Sequence, residues 1–458
     1  MLPRITEGNA FRCAFITFTF SYSYQKTLTG ASQMTLVMTP PSALSSPQRR
    51  CQAFLMLTLP GLGATLASIA QLNGVDDEIT RQDIADTGME IQRYHRLNII
   101  TKPDGSYQIE GEILDQRLCL VHWLRRGLRL CPHFVAQHFT PTLKTALREY
   151  GIARTLYDDT NLQALLNLCS RTLQRQFECR DMQFLRLYLQ YCLLQHQLGL
   201  TPQFNPVQQA WTQTRAEFLA AQEIIRHWKR RVAAIPQESE HLFLAVLFMM
   251  VRTPDPIRDA HLQDMRLRRT VSQMIARFNA LSSMRFSDEQ GLTDQLYSHL
   301  ALALDRSYFG IGIDNSLPEE INRLYPRLMR TTREAMRGME EEYKLRFTDE
   351  EVGLVAVIFG AWLMQESDLH EKQVLILTDN DPAREAEIEQ QLRELTLLPL
   401  NIKHLPLEAF QQDGAPREVA LIVTPYTTPL PLFSPPLIHA MESLSDQQQA
   451  HIRAMLEA

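Results

Sequence analysis

The residues able to do covalent or metal chemistry are few and poorly spaced for it. Seven cysteines stand at positions 13, 51, 119, 131, 169, 179 and 192, with no CxxC pair among them. Such a scattered, odd-numbered set in a long chain reads as reduced thiols packed in a core within a cytoplasmic compartment. The chain also lacks a GxxxxGK phosphate loop, an HExxH helix and a GxSxG turn, so no enzyme activity, cofactor or metal is expected. Gly310-Ile311-Gly312-Ile313-Asp314 has the glycine spacing of a nucleotide loop, but it joins two helical patterns where such a loop follows a strand. Turn chemistry explains it.

One polar constellation survives this filter, and it lies in an internal echo. Aligned with itself at an offset of 111, the chain pairs Tyr188 with His299, Gln195 with Arg306, Gly199 with Gly310, Glu240 with Glu351, Ala245 with Ala356 and Phe248 with Phe359. A period this long means tandem duplicated domains, not a solenoid repeat. His299, Glu351 and Arg306 are polar members of the second copy, and one reading sets the imidazole in a polar cluster with the carboxylate and the guanidinium. The alternative is a helix-face histidine held by a hydrogen bond beside a structural ion pair.

The elements that must hold these residues are helical. Glycine is scarce, 18 in 458 residues, which disfavours a loop-rich β protein, and the length suits about three or four folded units. Acidic residues outnumber basic ones, 52 to 46, for a net charge of −6. No overall cationic field gathers nucleic acid, so any such contact is local. Only seven of the basic residues are lysine, and the arginine that remains favours persistent carboxylate or phosphate pairing.

Residues 1–45 carry no secretory pattern and read as a disordered leader or an over-extended gene start. Folded structure opens at Ser46-Pro47, a cap and first-turn proline. The uncharged run from Cys51 to Val75 is cut by Pro60, Gly61 and Gly63, so two short buried helices are expected in place of a membrane span. A third helix from Asp76 or Asp77 and a hairpin around Pro103-Asp104-Gly105 complete a winged helix-turn-helix over 46–113. In it Arg81 and Gln82 are the base-reading candidates, with Arg93, Arg96, Lys102 and Arg49-Arg50 as phosphate contacts. Against this, Asp76, Asp77, Glu78, Asp83 and Asp86 surround the single Arg81 and would repel DNA. The basic run His122 to Arg129 reads as an acid-paired helix face. A helical connector follows over 114–153, then two helical bundles over 154–257 and 258–370. Over 371–458 short apolar strands alternate with helices, a small parallel α/β domain. The fold class is therefore mainly α.

At this point the residues carry a resemblance. His299 in QLYSHLALALDR, GIGIDNSLPEEINRLYP from Gly310 and TDEEVGLVAVIFGAW from Thr348 closely resemble the phosphotransferase-system regulation domain (PRD) of sugar-operon antiterminators and activators. The first repeat resembles it weakly, the N-terminal part resembles the winged helix of the activator branch, and 371–458 resembles a degenerate enzyme IIB domain. The resemblance implies two phosphorylated histidines per regulation domain, symmetric homodimers, DNA as a partner and phosphotransferase-system proteins as phosphate donors. By the offset of 111 the four expected positions hold Tyr188, Leu247, His299 and Ile358. Only His299 is a possible phosphoacceptor, and the other three are lost positions. In the IIB-like part the phosphocysteine loop reads Thr378-Asp379-Asn380-Asp381-Pro382, without a thiolate and with carboxylates that repel phosphate. The reading that follows is a transcription regulator with most phosphohistidine control lost. The alternative is a regulatory protein that no longer reads DNA and works through protein contacts.

Overall fold

Local signals set the first elements of the chain. In the computed structural model, which describes residues 44–60, 63–229, 237–313, 317–366, 372–379, 381–397, 400–416, 418–429, 434–440 and 443–457, Ser45 caps α1 (Ser46–Thr58) in a reciprocal box with Gln48. The cap thus falls one residue before the expected one, and the expected leader lies outside the described residues apart from its last two. Thr65 and Ser68 form a second box on α2 (Leu66–Asn73), which ends at Gly74 in the left-handed region because only glycine takes that φ without a Cβ penalty. Asp76 accepts from the Ile79 amide and opens α3 (Asp77–His95). Strands β1 (Asn98–Thr101) and β2 (Tyr107–Glu110) pair antiparallel across the Pro103-Asp104-Gly105 turn. Three helices and a wing result, as expected. Among the described residues no helix is long and apolar enough to cross a membrane.

From α4 (Ile113–Leu130) the chain is helical, passing through a π-turn at Val135–Phe139 into α5 (Thr140–Glu149). After a single helical turn at Arg154–Tyr157, ten longer helices among the described residues fall into two sets of five. The first set is α6 (Asp159–Leu173), α7 (Cys179–Gln197), α8 (Pro206–Gln213), α9 (Ala216–Lys229) and α10 (Glu238–Met250). The second is α11 (Leu262–Ser282), α12 (Glu289–Phe309), α13 (Leu317–Leu324), α14 (Pro326–Tyr343) and α15 (Asp349–Glu366). Helices α8 and α13 start 111 residues apart, as do α10 and α15, so the echo in sequence is an echo in structure. The equivalent phenylalanines anchor each core: Phe248 stacks on Phe177 with centroids at 5.8 Å, and Phe359 on Phe278 at 4.0 Å.

The C-terminal part alternates β3 (Lys372–Thr378), α16 (Pro382–Leu395), β4 (Leu400–Pro406), α17 (Leu407–Asp413), β5 (Val419–Thr424), β6 (Leu437–His439) and α18 (Asp446–Glu457). The strands form one parallel sheet in the order β4-β3-β5-β6. Both faces are covered, as a parallel sheet requires: Val374, Ile376, Leu421 and Val423 pack with Ile388, Leu392 and Ile452, while Leu375, Leu377 and Ile422 pack with Phe410. The sequence reading missed α17 and β6.

The chain divides into two compact units. One joins Thr35–Asp264 with Ala301–Asp314, and the other joins Met265–Leu300 with Asn315–Ala458. The first therefore contains the winged helix, the first five-helix set and the last turns of α12.

Candidate functional site

The four positions of the duplicated pattern sit on equivalent helices. Tyr188 lies midway along α7 and His299 midway along α12; Leu247 lies on α10 and Ile358 on α15. In the second set the His299 Nε2 stands 3.4 Å from the Glu351 Oε2, and the two side chains are 9% and 3% exposed. A carboxylate at this distance can orient the imidazole ring. Arg306, expected beside this pair, lies seven residues further along α12.

The first set solves the same positions differently. Tyr188 is fully buried and its hydroxyl donates to the backbone carbonyl of Arg117 on α4. The Arg117 guanidinium then forks onto Glu240, the counterpart of Glu351, with Nη1 to Oε2 at 2.8 Å and Nη2 to Oε1 at 2.7 Å. Both side chains have no exposure to solvent, and the guanidinium also lies over the Phe243 ring at 4.9 Å. A third bond runs from Arg117 Nη2 to the Leu200 carbonyl at 2.7 Å. Burial pushes the Tyr188 phenol well above its ordinary value, so it stays a neutral donor. In the first set the counterpart carboxylate is thus held by an arginine from outside the repeat. Leu247 and Ile358 are buried hydrocarbon and offer no acceptor atom.

A family model of the PRD domain matches residues 163–250 and again 272–362. A second, described as the C-terminal domain of the stationary phase-inducible protein CsiE, matches residues 372–456. Over 421 residues the chain is 62% identical to the stationary phase-inducible protein CsiE of Escherichia coli (strain K12), covering 92% of this chain and 99% of that protein. The chain belongs to the CsiE family. It is also 27% identical over 143 residues to the transcriptional regulator ManR of Bacillus subtilis (strain 168), covering 31% of this chain and 22% of that protein. Of the two, ManR is named as a transcriptional regulator.

In the C-terminal domain the turn after β3 is closed by the chain's own side chains. The Asp379 amide donates to Glu385 Oε1 at 2.9 Å, and the Asp381 amide donates to the Tyr426 hydroxyl at 3.2 Å, which itself donates to Glu385 at 2.9 Å. Backbone amides at a strand-to-helix turn would otherwise cradle an anion. Here a carboxylate of the chain takes that place. Sequence reasoning singled out neither Glu385 nor Tyr426, because the acceptor sits six residues beyond Asp379, inside α16, and the hydroxyl follows a different strand.

The nucleic-acid candidates in the N-terminal part are scattered in role. Arg81 and Lys102 are exposed. Gln82 donates to Asp86 at 2.7 Å, and the Arg93 guanidinium lies 5.4 Å from the Tyr94 ring centroid. Arg96, half-exposed, forks onto Asp115, with Nη2 to Oδ1 at 2.5 Å and Nε to Oδ2 at 3.2 Å. Arg49 forks onto buried Asp83 at 2.7 and 3.2 Å, removing one acidic charge from the start of α3. Arg126 and Arg50 share Glu90 at 2.7 and 3.9 Å, and Arg125 meets Asp181 at 3.3 Å, so Arg125 and Arg126 of the basic run are acid-paired while Arg129 is exposed. Cys51, Cys119, Cys131, Cys169 and Cys192 are buried and only Cys179 is exposed among the described residues. Those residues also contain no group of three or more His, Cys, Asp or Glu able to hold a metal ion.

Proposed function

We propose that this CsiE-family chain is a homodimeric PRD-containing regulator of DNA-templated transcription in which phosphohistidine control has contracted to one position, His299. The observation that carries the reading is the pair of equivalent sites: His299 with Glu351 in one repeat, and Tyr188 with an arginine-sealed Glu240 in the other. A tyrosine that donates its only proton to a backbone carbonyl cannot take phosphate from a phosphohistidine donor as an imidazole does. Phosphorylation works by adding about −1.5 to −2 charge to a packed surface; Leu247 and Ile358 have no atom to carry it, and the Tyr188 hydroxyl is buried against a backbone carbonyl. The name of ManR and the wing and third helix support the transcriptional part, with Arg81, Gln82, Arg93 and Lys102 as the DNA-facing candidates.

A specific observation also favours a second reading, in which the winged helix serves protein contacts. Asp77 and Glu78 lie exposed in the first turn of α3, where helix-dipole stabilisation explains them and where a DNA reader needs neutral or basic groups. Salt separates the two. If the first reading holds, duplex binding weakens steeply from 50 to 200 mM salt, and Lys102→Ala lowers the slope of log affinity against log salt by about 1. Absence of binding at low salt leaves the protein-contact reading.

A further inference from the structure

Helices α1 and α4 approach closely because one residue between them has no side chain. A Cβ on Gly127 would lie 2.8 Å from Leu55 Cδ1, 3.4 Å from Val135 Cγ2 and 3.6 Å from Cys51 Sγ. Leu55 and Cys51, one turn apart on α1, thus press on a bare stretch of α4. The Cys51 thiol also reaches the Trp123 carbonyl, with its sulfur 3.6 Å from the oxygen. Positions 123, 127 and 131 follow at four-residue spacing, so they share one face. That face ends at Cys131, whose amide donates to the Gly127 carbonyl at 2.9 Å and whose φ of −138° leaves the helix. With no side chain at 127 to separate them, the thiols of Cys51 and Cys131 meet and share a hydrogen bond.

The two sulfurs are not equivalent. Cys51 is fully buried, and Cys131 keeps 5% of its surface at the margin. The hydrogen bond to Cys131, and then burial, push the Cys51 thiol up, so it holds its proton. That same bond, helped by the charge of Arg126, keeps Cys131 below the ordinary thiol value although burial opposes it. Arg126 is itself anchored, over the Trp123 ring at 4.7 Å and on Glu90 at 2.7 Å. An electron-rich sulfur at the margin with a protonated thiol behind it is the arrangement of an attacking and a resolving cysteine. Burial instead raises the thiols of Cys119, Cys169 and Cys192, which makes them inert packing groups.

We propose that Cys51 and Cys131 form a reversible disulfide, a redox clip between α1 and the end of α4 that a small hydroperoxide closes. The Cys131 thiolate attacks one peroxide oxygen and the O–O bond breaks. Sulfur gains the hydroxyl, and the departing hydroxide takes a proton from solvent to leave as water. The Cys51 sulfur then attacks the sulfenic sulfur; the S–S bond forms, and the Cys51 proton leaves with the hydroxyl as a second water. Two thiols are oxidised by two electrons, and hydrogen peroxide is reduced to two waters. A dithiol reductant reopens the bond by exchange. The near-complete burial of both sulfurs selects a small neutral oxidant over a bulky disulfide such as oxidised glutathione.

The test is a hydrogen peroxide titration of the reduced full chain, with remaining thiols tagged by a maleimide after denaturation and each cysteine read by peptide mass. Cys51 and Cys131 should lose their tags together and appear in one joined peptide that dithiothreitol separates. Oxidised glutathione at the same concentration should leave both tagged. In Cys51→Ser, Cys131 should stop as a sulfenic acid that dimedone traps; in Cys131→Ser, Cys51 should keep its tag. Cys119→Ser, a change elsewhere on α4, should leave the joined peptide as in the wild type. Absence of a Cys51–Cys131 peptide from the wild-type chain overturns the inference. So does its formation to the same extent in urea, where the fold no longer brings the sulfurs together, and so does loss of the Cys51 tag in Cys131→Ser. The wild-type map decides alone if either serine variant fails to fold.

Discussion

Arg117→Ala is expected to destabilise the unit containing the winged helix and the first regulation domain by about 3–5 kcal/mol, the usual cost of leaving one buried ion without its partner. Glu240 has no exposure, so its carboxylate must then protonate or draw in water. The cost is larger than charge pairing, because the same guanidinium closes the Leu200 loop and covers Phe243. Replacing both partners by hydrocarbon, Arg117→Met with Glu240→Leu, should cost far less than the single change, since it removes the buried charge altogether. Urea titration followed by the fluorescence of buried Trp123 and Trp228 measures both. Equal stability of Arg117→Ala and wild type would show that the pair is not what holds α4 to the first repeat.

Acid should loosen the same unit through His95. Its ring is buried at the end of α3, with its centroid 6.2 Å from that of His122. Burial, then His122 and Arg96, push its pKa down to about 3 from 6.5. Between those values the unfolded chain binds a proton that the folded chain refuses, so stability rises with pH across this window and is lost as pH falls. At pH 4.5 the loss from this group should be about 2–3 kcal/mol relative to pH 7, at about 1.36 kcal/mol per unit. His95→Gln should flatten that part of the pH profile. An unchanged slope in the variant would mean that the proton enters elsewhere.

Much of the architecture is legible in the chain because its signals are local. Ser45 and Gln48, Gly74, and the Asp104 carboxylate that accepts from the Ser106 amide at 2.9 Å fix ends and turns within a few residues. The duplication is legible for another reason: helix starts such as Pro206 and Leu317 kept their spacing although most side chains between them changed. The candidate site is half legible. His299, Tyr188, Leu247 and Ile358 follow from register and resemblance, but the pairing of Arg117 with Glu240 spans 123 residues and has no pattern in sequence. The same holds for Trp211 with Asp305, 94 residues apart, and for Tyr426 with Glu385. Long-range polar pairs are chosen by packing. The short β6 and the seven-residue α17 escape because neither is long enough to show a period.

The central claim is that this chain retains the duplicated regulation-domain scaffold with a single imidazole left to take phosphate. Incubation with phosphoenolpyruvate and the general phosphotransferase proteins, quenched at alkaline pH and read by intact mass, tests it most directly. The account predicts at most one phosphoryl group per chain and none after His299→Ala. Two or more groups on the wild-type chain, or a group that survives His299→Ala, would contradict it.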